Sequence, residues 1–307
     1  MKWSNKKALV TGAAGFIGQN LVKSLLSQGA YVIAFDNLSY GKRENIPKSV
    51  NEIIIGDVLS RKDLDKAKEP DYVFHFAAPS SVILFNEDSA GCFHTTVYGF
   101  LNVLEWANQK CVRKVIYPSS GGVYGNTTLP QSEETQCKPT NLYGIAKLSC
   151  EALAKKCSEH VPTVGLRIFA GYGPGEDHKG DFASVVSLFS KSIVIGKAPV
   201  IYGDGTQKRD FIYIDDIVSS IIISAEKEIN NVVINIGSGK AYSFNAVASI
   251  INTLLGTNLQ PKYVPRPNGY LENTCADVKK MRRLLNINPI PLEEGLSSYL
   301  GNWVDSP

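Results

Sequence analysis

Three residues in the middle of the chain have the types and spacing needed to take a proton from a hydroxyl group. Tyr143 and Lys147 lie four residues apart in YGIAK, and Ser120 precedes them in PSSGGVYG. On a helix, residues four apart share a face, so the Lys147 ammonium would lie beside the Tyr143 ring and favour its ionised form. An unperturbed phenol titrates near about 10 and needs such a neighbour to act as a base at neutral pH. Tyr and Lys are common residues, so the pair alone also fits a chance occurrence.

The start of the chain has the parts of a dinucleotide-binding site. An apolar run ends at GAAGFIG, where Gly12, Gly15 and Gly18 precede a helical pattern. Glycines admit a pyrophosphate close to the backbone, and the N–H groups of the following helix can bind it, although the usual spacing is G-x-G-x-x-G. A second apolar run ends at Asp36, where a carboxylate would bind ribose hydroxyls and repel a 2′-phosphate, which favours NAD over NADP. Ordinary turns and a solvated strand end are the alternative.

The rest of the chain alternates between apolar runs and helical patterns. The runs predict strands near residues 7–11, 31–35, 52–55, 71–76, 113–118, 163–169 and 232–236. This alternation is typical of an α/β fold with a doubly wound, parallel, Rossmann-type sheet of about seven strands. Beyond residue 170, Gly- and Pro-rich segments interrupt the pattern. We therefore expect an NAD-binding domain at 1–170, which also receives 210–238, and a smaller C-terminal substrate-binding lobe from 171–209 and 239–307.

Composition argues against several other classes of function. The 307 residues are 44% hydrophobic and carry a formal charge of +3, too small to indicate a nucleic-acid or membrane partner. No apolar stretch approaches the roughly 20 residues of a membrane-spanning helix, and the N-terminus lacks a signal-peptide pattern, so we expect a cytoplasmic protein. The six cysteines include no C-x-x-C pair and the four histidines are not at ligand spacing, so we expect free thiols and no metal.

Together these motifs resemble the extended short-chain dehydrogenase/reductases of the NAD-dependent nucleotide-sugar epimerase and dehydratase family. The similarity extends along essentially the whole chain and is greatest to the UDP-glucose and UDP-N-acetylglucosamine 4-epimerases. The matching segments, in the family's order, are GAAGFIG, FDNLS, GDV, FHFAA, PSSGGVYG, YGIAK, LRIFAGYGPG and GDGTQKRDFIYIDD. The resemblance implies that NAD is the cofactor and a UDP-sugar the substrate.

The resemblance also assigns roles to residues. Tyr143 would remove the proton of a sugar hydroxyl while hydride leaves the same carbon, Ser120 would hydrogen-bond that oxygen, and Lys147 would stabilise the tyrosinate and bind the nicotinamide ribose. The residues that it implies for the NAD site are Gly12, Gly15, Phe16, Ile17, Gly18, Asp36, Asn37, Asp57, Val58, Phe76, Ala77, Ala78, Ser119, Tyr143, Lys147 and Ile168. Those that it implies for the substrate site are Ser81, Ser120, Val200, Tyr202, Arg209, Arg266 and Thr274.

Two of these substrate positions carry specific expectations. Arg209 matches the family's diphosphate-binding arginine, although a surface ion pair with Asp210 or Asp215 is the alternative. Thr274 matches a position that walls the sugar pocket in related 4-epimerases, where a small residue admits an N-acetyl group. UDP-GlcNAc and UDP-GalNAc are then expected as substrates, alongside or in place of UDP-Glc and UDP-Gal, and simple packing is the alternative role for Thr274.

The residues beside Ser120 distinguish branches of the family. The related 4,6-dehydratases place an Asp–Glu pair after the hydroxyl residue, and the uronate decarboxylase has a Glu in the same segment, whereas this chain has Gly121 and Gly122. The resemblance therefore favours 4-epimerisation. A 4-ketoreductase, a UDP-glucuronate 4-epimerase or a C2 epimerase would use the same triad, and a non-enzymatic NAD-binding protein would usually have lost Tyr or Lys.

Some positions depart from the family pattern and leave the nucleotide base, the sugar and the reaction open. Ala170 and Thr96 stand where asparagines are common, Arg266 is offset, and Glu272 or Asn273 replaces a second arginine. In this family the helices predicted at 90–109 and 142–160 pair across a homodimer. Burial of their apolar faces within one subunit is the alternative.

Overall fold

The computed structural model describes residues 2–266 and 272–304, and only the backbone of residues 302–304. The described strands are β1 Lys7–Thr11, β2 Tyr31–Asp36, β3 Glu52–Ile55, β4 Tyr72–His75, β5 Lys114–Ser120, β6 Thr163–Ile168, β7 Ala170–Tyr172, β8 Val200–Tyr202, β9 Lys208–Tyr213, β10 Val232–Ile236, β11 Ala241–Ser243 and β12 Lys262–Val264. The described α-helices are α1 Phe16–Ser27, α2 Arg61–Leu64, α3 Val82–Glu87, α4 Ser89–Phe93, α5 Gly99–Gln109, α6 Leu142–Lys156, α7 Val185–Val194, α8 Ile214–Glu226, α9 Phe244–Leu255, α10 Lys279–Leu285 and α11 Leu292–Val304.

A parallel sheet of seven strands forms the centre of the molecule, in the order β10-β6-β5-β4-β1-β2-β3. The Rossmann-type fold expected from the sequence is therefore confirmed. Strand order reverses between β1 and β4, and ligands of such sheets bind in the crevice at the carboxyl ends beside this point. The strands predicted from apolar runs agree with the observed strands within two residues at each end.

Continuous apolar strands form the central sheet because both of its faces are covered. Val10 and Phe74 pack on one face, in the cluster that contains residues of α1 and α8. Leu9 and Val73, the preceding residues on the same two strands, pack on the other face with residues of α5 and α6. Successive side chains of a strand point to opposite faces, so a strand buried on both sides has no polar alternation.

Smaller sheets lie beyond the carboxyl ends of the central strands. One has the order β11-β9-β7 and the other pairs β12 with β8. We propose that 171–209 and 239–307 form the substrate lobe and that 210–238 returns to the NAD-binding domain, since α8 packs on the central sheet and β10 extends it. Parts of this lobe, at 267–271 and 305–307, lie outside the described residues.

The two helical regions predicted at 90–109 and 142–160 differ slightly from the structure. The first is continuous from α4 to α5 through a π-helical segment, His94–Tyr98. The second, α6, ends at Lys156, and the chain then turns through the bond from the His160 N–H to the Cys157 carbonyl at 3.0 Å. Pro162 restricts the residue before it to extended conformations, so the helix could not have continued far.

The described residues contain no helix that is both long enough and apolar enough to cross a membrane. Within residues 2–266 and 272–304, no group of three or more His, Cys, Asp or Glu side chains could hold a metal ion.

Candidate active site

Ser120 is the last residue of β5, and its hydroxyl caps the turn that follows. A 3-10 helix, Gly121–Tyr124, begins immediately after it, and Ser120 Oγ accepts a hydrogen bond from the Gly122 N–H at 3.0 Å. This bond fixes the position of the oxygen and leaves the hydroxyl proton available for donation. Ser120 also lines a cavity of about 780 Å³ at the carboxyl ends of the strands, the larger of two adjoining cavities described below.

Tyr143 and Lys147 lie on one face of α6, as their spacing predicts. The Lys147 ammonium is 5.7 Å from the centre of the Tyr143 ring, and Phe85 holds that ring edge-on at 5.6 Å. Lys147 is 4% exposed, so water screens its charge weakly. Tyr143 lies in the first turn of the helix, whose N-terminal potential also favours an anion.

His75 lies at the end of β4 and contributes no charge to this region. Burial, with a smaller effect of the Lys147 charge, lowers the pKa of His75 to about 3. Its Nδ1 lies 2.9 Å from Thr11 Oγ1, and its ring stacks on Phe100. The imidazole is therefore neutral at pH 7, and it does not compete with Lys147 as a cation.

The glycine turn after β1 fits a bound pyrophosphate. Gly12 has a φ of +70°, and a Cβ there would lie 2.5 Å from the Phe76 carbonyl group. A Cβ on Gly18 would lie 2.0 Å from the Gly12 oxygen, so α1 packs directly on the turn. Gly15 precedes α1 and provides no side-chain cap, which leaves the first N–H groups of the helix able to bind phosphate oxygens.

Asp36 ends β2 beside the same turn and fits a ribose-binding role. Its carboxylate accepts the Ala14 N–H at 2.9 Å and the Leu38 N–H at 2.7 Å, and Asp36 is buried. A carboxylate has about four acceptor positions, so two remain for hydroxyl groups. Its negative charge disfavours a 2′-phosphate at this position.

All of the residues expected at the NAD site line two adjoining cavities. The larger cavity, of about 780 Å³, includes Gly12, Gly15, Phe16, Ile17, Gly18, Phe76, Ala78, Ser119, Tyr143, Lys147 and Ile168. The smaller, of about 240 Å³, includes Gly12, Gly15, Asp36, Asn37, Asp57, Val58, Phe76, Ala77 and Ala78. The cavities share the glycine turn, so an extended dinucleotide could reach from Asp36 in one to Tyr143 in the other.

Comparison with known proteins agrees with this geometry. The model of the NAD dependent epimerase/dehydratase family matches residues 8–237. The chain belongs to this family. The predicted resemblance, the enzymatic class and NAD as cofactor are confirmed.

Relatives of known name match nearly the full length of the chain. A putative UDP-glucose 4-epimerase of Methanocaldococcus jannaschii is 33% identical over 96% of this chain and 97% of its own. The crystal structure of the Thermotoga maritima UDP-glucose 4-epimerase with UDP-glucose superposes with a TM-score of 0.93, at 32% identity over 98% and 99% of the two chains. The structure of a UDP-N-acetylglucosamine 4-epimerase of Methanobrevibacter ruminantium, in complex with UDP-N-acetylmuramic acid, superposes with a TM-score of 0.91. The sequence identity is 33%, and the match covers 99% of this chain and 100% of that chain.

Arg209 reaches the larger cavity from β9. It lines the larger cavity, where its guanidinium lies 5.5 Å from the Phe244 ring centre and donates to the Lys208 and Glu272 carbonyls. The next residue, Asp210, is fully buried and accepts four hydrogen bonds from Ser238, Gly239 and Ala276. The strand that carries Arg209 is thus fixed to the segment after β10 and to the C-terminal segment.

Other candidate substrate residues lie outside the two cavities. Ser81 caps α3 through the Ile83 N–H, while its neighbour Ser80 lines the larger cavity. Val200 and Tyr202 lie on β8 with nearly half of their surfaces exposed.

Arg266 and Thr274 also lie outside these cavities. Arg266 forms ion pairs with Asp204 and Glu272. Thr274 is 5% exposed and donates its backbone N–H to the Lys208 carbonyl. The structure therefore does not bring Thr274 to the wall of the larger cavity.

The larger cavity also has walls that the motifs did not indicate. A segment after β7 covers part of it with Glu176, His178 and Lys179. Glu176 is buried and accepts hydrogen bonds from Ser184 and Lys179, which fixes the segment in place. The Gly-rich composition of GYGPGEDHKGD predicted a loop in this segment. The hydrogen bonds of Glu176 that fix the loop could not be predicted, because the residues they join belong to no recognisable motif.

Proposed function

We propose that this protein is an NAD-dependent 4-epimerase of UDP-hexoses. Its substrates would be UDP-glucose and UDP-galactose, UDP-GlcNAc and UDP-GalNAc, or both pairs. The observation that carries the proposal is the meeting of Ser120, Tyr143 and Lys147 at one cavity, where a glycine lies in the position that an extra acid or base would need. The named relatives, among them 4-epimerases for both kinds of sugar, support this assignment.

The three side chains can carry out and support the proton transfer that reversible oxidation of a sugar hydroxyl requires. Tyr143 Oη, as phenolate, accepts the hydroxyl proton, while Ser120 Oγ donates a hydrogen bond to the same sugar oxygen. The Lys147 charge stabilises the phenolate through the step. NAD, when bound, supplies the acceptor and later the donor of hydride. Inversion would result when the 4-keto sugar presents the other face of its C4 carbon to the hydride donor and Tyr143 returns the proton to the C4 oxygen.

Gly122 supports epimerisation over dehydration or decarboxylation. A Cβ at Gly122 would lie 3.3 Å from Ser120 Oγ and 3.9 Å from the Tyr143 ring, so a longer acidic side chain there would reach the reacting sugar. Gly121 is buried, and a Cβ there would meet the Phe169 ring at 3.0 Å. Elimination of water needs an additional acid and base, and neither position supplies one.

Arg209 is proposed to hold the diphosphate while the sugar turns. An epimerase must present both faces of its keto intermediate, so binding energy has to come from the nucleotide diphosphate. A guanidinium can bind phosphate oxygens with two parallel hydrogen bonds. The buried anchoring of Asp210 keeps that guanidinium at a constant place relative to Tyr143.

Product analysis tests the proposal. Purified protein is incubated with UDP-glucose, UDP-GlcNAc and UDP-glucuronate separately, without added reductant, and the anomeric signals are followed by proton NMR. We expect UDP-galactose, UDP-GalNAc or both, and no turnover by Tyr143→Phe. Conversion of UDP-glucuronate alone would replace the proposed sugar, and product formation only with added NADH or NADPH would establish a ketoreductase instead.

We also propose that α4, α5 and α6 form a homodimer interface. An open groove with almost entirely apolar walls runs between them, lined by residues that include Phe93, Val97, Leu101 and Leu153. Tyr98 and Leu142 at this groove remain more than 40% exposed in the single chain. Exposed apolar surface of this kind is typical of interfaces. Light scattering should give twice the monomer mass, and Tyr98→Glu should give the monomer; a monomeric wild type would refute the assignment.

A further inference from the structure

A row of buried polar side chains lies beneath the catalytic residues. Glu151 follows Lys147 by four residues, so Tyr143, Lys147 and Glu151 lie along one face of α6. Glu151 Oε1 accepts hydrogen bonds from Ser119 Oγ at 2.5 Å and from Arg167 Nε at 2.9 Å, and Oε2 accepts from Arg167 Nη2 at 2.7 Å. The Arg167 and Glu151 side chains are only 7% and 9% exposed, so this is a buried ion pair.

The row continues across the sheet to β10. Ser119, Arg167 and Asn235 are neighbours in register on β5, β6 and β10. Arg167 Nη1 donates to the Tyr124 hydroxyl at 2.8 Å, and this hydroxyl donates to Asn235 Oδ1 at 2.7 Å. Tyr124 belongs to the 3-10 helix that Ser120 caps. The ion pair therefore connects α6 to the strand end and the turn that position Ser120.

Saturation of the Glu151 carboxylate affects Lys147. A Lys and a Glu four residues apart on a helix can pair, and a buried carboxylate without a partner attracts a nearby cation strongly. Here Ser119 and Arg167 donate three hydrogen bonds to Glu151, and the Lys147 ammonium lies beside the Tyr143 ring instead.

We propose that Arg167 and Glu151 are positioning residues for the proton-transfer site. Arg167 neutralises Glu151 and so keeps the Lys147 charge available to Tyr143, while Glu151 fixes, through Ser119, the strand end that carries Ser120. The proposal rests on the role of Tyr143 as base in the proposed function, and it does not depend on which sugar is bound.

Five of the titratable groups near these charges are uncharged at pH 7. Burial and the Lys147 charge lower the pKa of His75 to about 3. Burial raises the pKa of Cys150 to about 11, that of Tyr124 to about 12, and those of Tyr117 and Cys137 above their usual values. Glu133 binds the Asn235 N–H at the far end of the row. The remaining titratable groups on elements packed against α6 include Glu87, Cys92, His94, Tyr98, Glu105 and Lys114.

Ultraviolet titration of Tyr143 tests the proposal without any substrate. Tyrosinate absorbance is recorded against pH for the wild type, Arg167→Met, Glu151→Gln and the double variant Glu151→Met/Arg167→Met. The matching Tyr143→Phe protein is subtracted in each background. We expect the absorbance transition of Tyr143 to move to higher pH in Arg167→Met, where the Glu151 charge is uncompensated, and to lower pH in Glu151→Gln. The double variant, without either charge, should return to within a few tenths of a unit of the wild type.

Kinetics and a matched control complete the test. Arg167→Met should lower kcat about 10- to 100-fold with little change in KM, and the double variant should recover most of this loss. Glu226→Gln is the control, because the Glu226 side chain is similarly buried, at 8% exposed. Its carboxylate accepts a hydrogen bond from Trp3 Nε1 at 2.8 Å, and neither residue lines the two cavities. Glu226→Gln should leave the half-ionisation pH of Tyr143 unchanged.

A common half-ionisation pH in all of the variants, or shifts of the same sign in both single variants, would overturn the proposal. If Arg167→Met does not fold, the comparison of Glu151→Gln with the double variant decides, and equal values refute the charge argument. Failure of the wild type to convert UDP-sugars would contradict the proposed function alone, because the absorbance titration needs no turnover.

Discussion

The neutral state of His75 predicts a specific pH dependence of stability. The unfolded chain binds a proton at His75 near the ordinary pKa of 6.5, whereas the folded protein does so only near about 3. Since the pKa is lowered by folding, the associated stability is present above pH 6.5 and is lost as the pH falls toward 3. Each unit of difference corresponds to about 1.36 kcal/mol. At about pH 4.5, two units below the unfolded value, the loss is then about 2.7 kcal/mol.

The measurement is urea unfolding of the wild type and His75→Gln between about pH 7.5 and pH 4.5. Gln can still accept a hydrogen bond from Thr11 but does not titrate in this range. The stability advantage of the wild type over His75→Gln should therefore shrink by about 2.7 kcal/mol across the range. His160→Gln serves as the control, because His160 is exposed. A difference between wild type and His75→Gln that stays constant with pH would refute the reasoning.

Three further predictions concern the cavity and the fold. Gly122→Glu should lower kcat about 100-fold and leave NAD affinity unchanged, because a carboxylate would lie beside Ser120 Oγ and repel the phenolate. Asp36→Asn should weaken NAD binding about 10-fold or more in calorimetric titration, because the two backbone N–H groups bind different carboxylate oxygens and an amide has only one oxygen. The same variant should bind NAD in preference to NADP by a smaller factor, because it lacks the negative charge that repels a 2′-phosphate. Burial raises the pKa of Asp216 from 3.8 to about 6, so its contribution to stability falls as the pH rises through this interval. Asp216→Asn should consequently be more stable than the wild type above pH 6, by on the order of 1 kcal/mol after allowance for its partial exposure.

Each of these predictions has an outcome that contradicts it. Gly122→Ala is the control for the first, and an equal loss of kcat in both variants would mean that space, not charge, is decisive. Unchanged NAD affinity in Asp36→Asn would remove the carboxylate from the cofactor site. A stability difference for Asp216→Asn that does not grow between about pH 4 and pH 7 would show that this carboxyl is not perturbed.

The sequence predicted the central sheet and the common helix face of Tyr143 and Lys147 because both depend on short-range patterns. Strands buried on two faces are continuous apolar runs, and the spacing of Tyr143 and Lys147 determines their common helix face. The Glu151–Arg167 pair could not be predicted in the same way, since it depends on the register of β5 and β6. Similarly, the position of Thr274 could not be predicted, because it depends on the pairing of the C-terminal segment with Lys208.

The substrate side of the cavity is the least predictable part. Arg266 pairs with Asp204, 62 residues earlier in the sequence, and with Glu272, which, like Asn273, is a candidate for the position where the family resemblance suggested another arginine. The segment that contains Glu176 is placed by hydrogen bonds from Ser184 to the Glu176 carboxylate rather than by any motif. Such contacts join loops whose conformations depend on the packing around them.

The alternation of Arg209 and Asp210 on β9 has a consequence for how the molecule could change its substrate. Neighbouring residues on a strand point to opposite sides, so Arg209 lines the cavity while Asp210 is held in the protein interior. If Arg209 binds the diphosphate as proposed, its replacement would alter which anionic group is bound without loosening the strand, whereas replacement of Asp210 would release the strand from two other segments at once. Divergence of specificity is expected to proceed through the first position and to leave the second untouched.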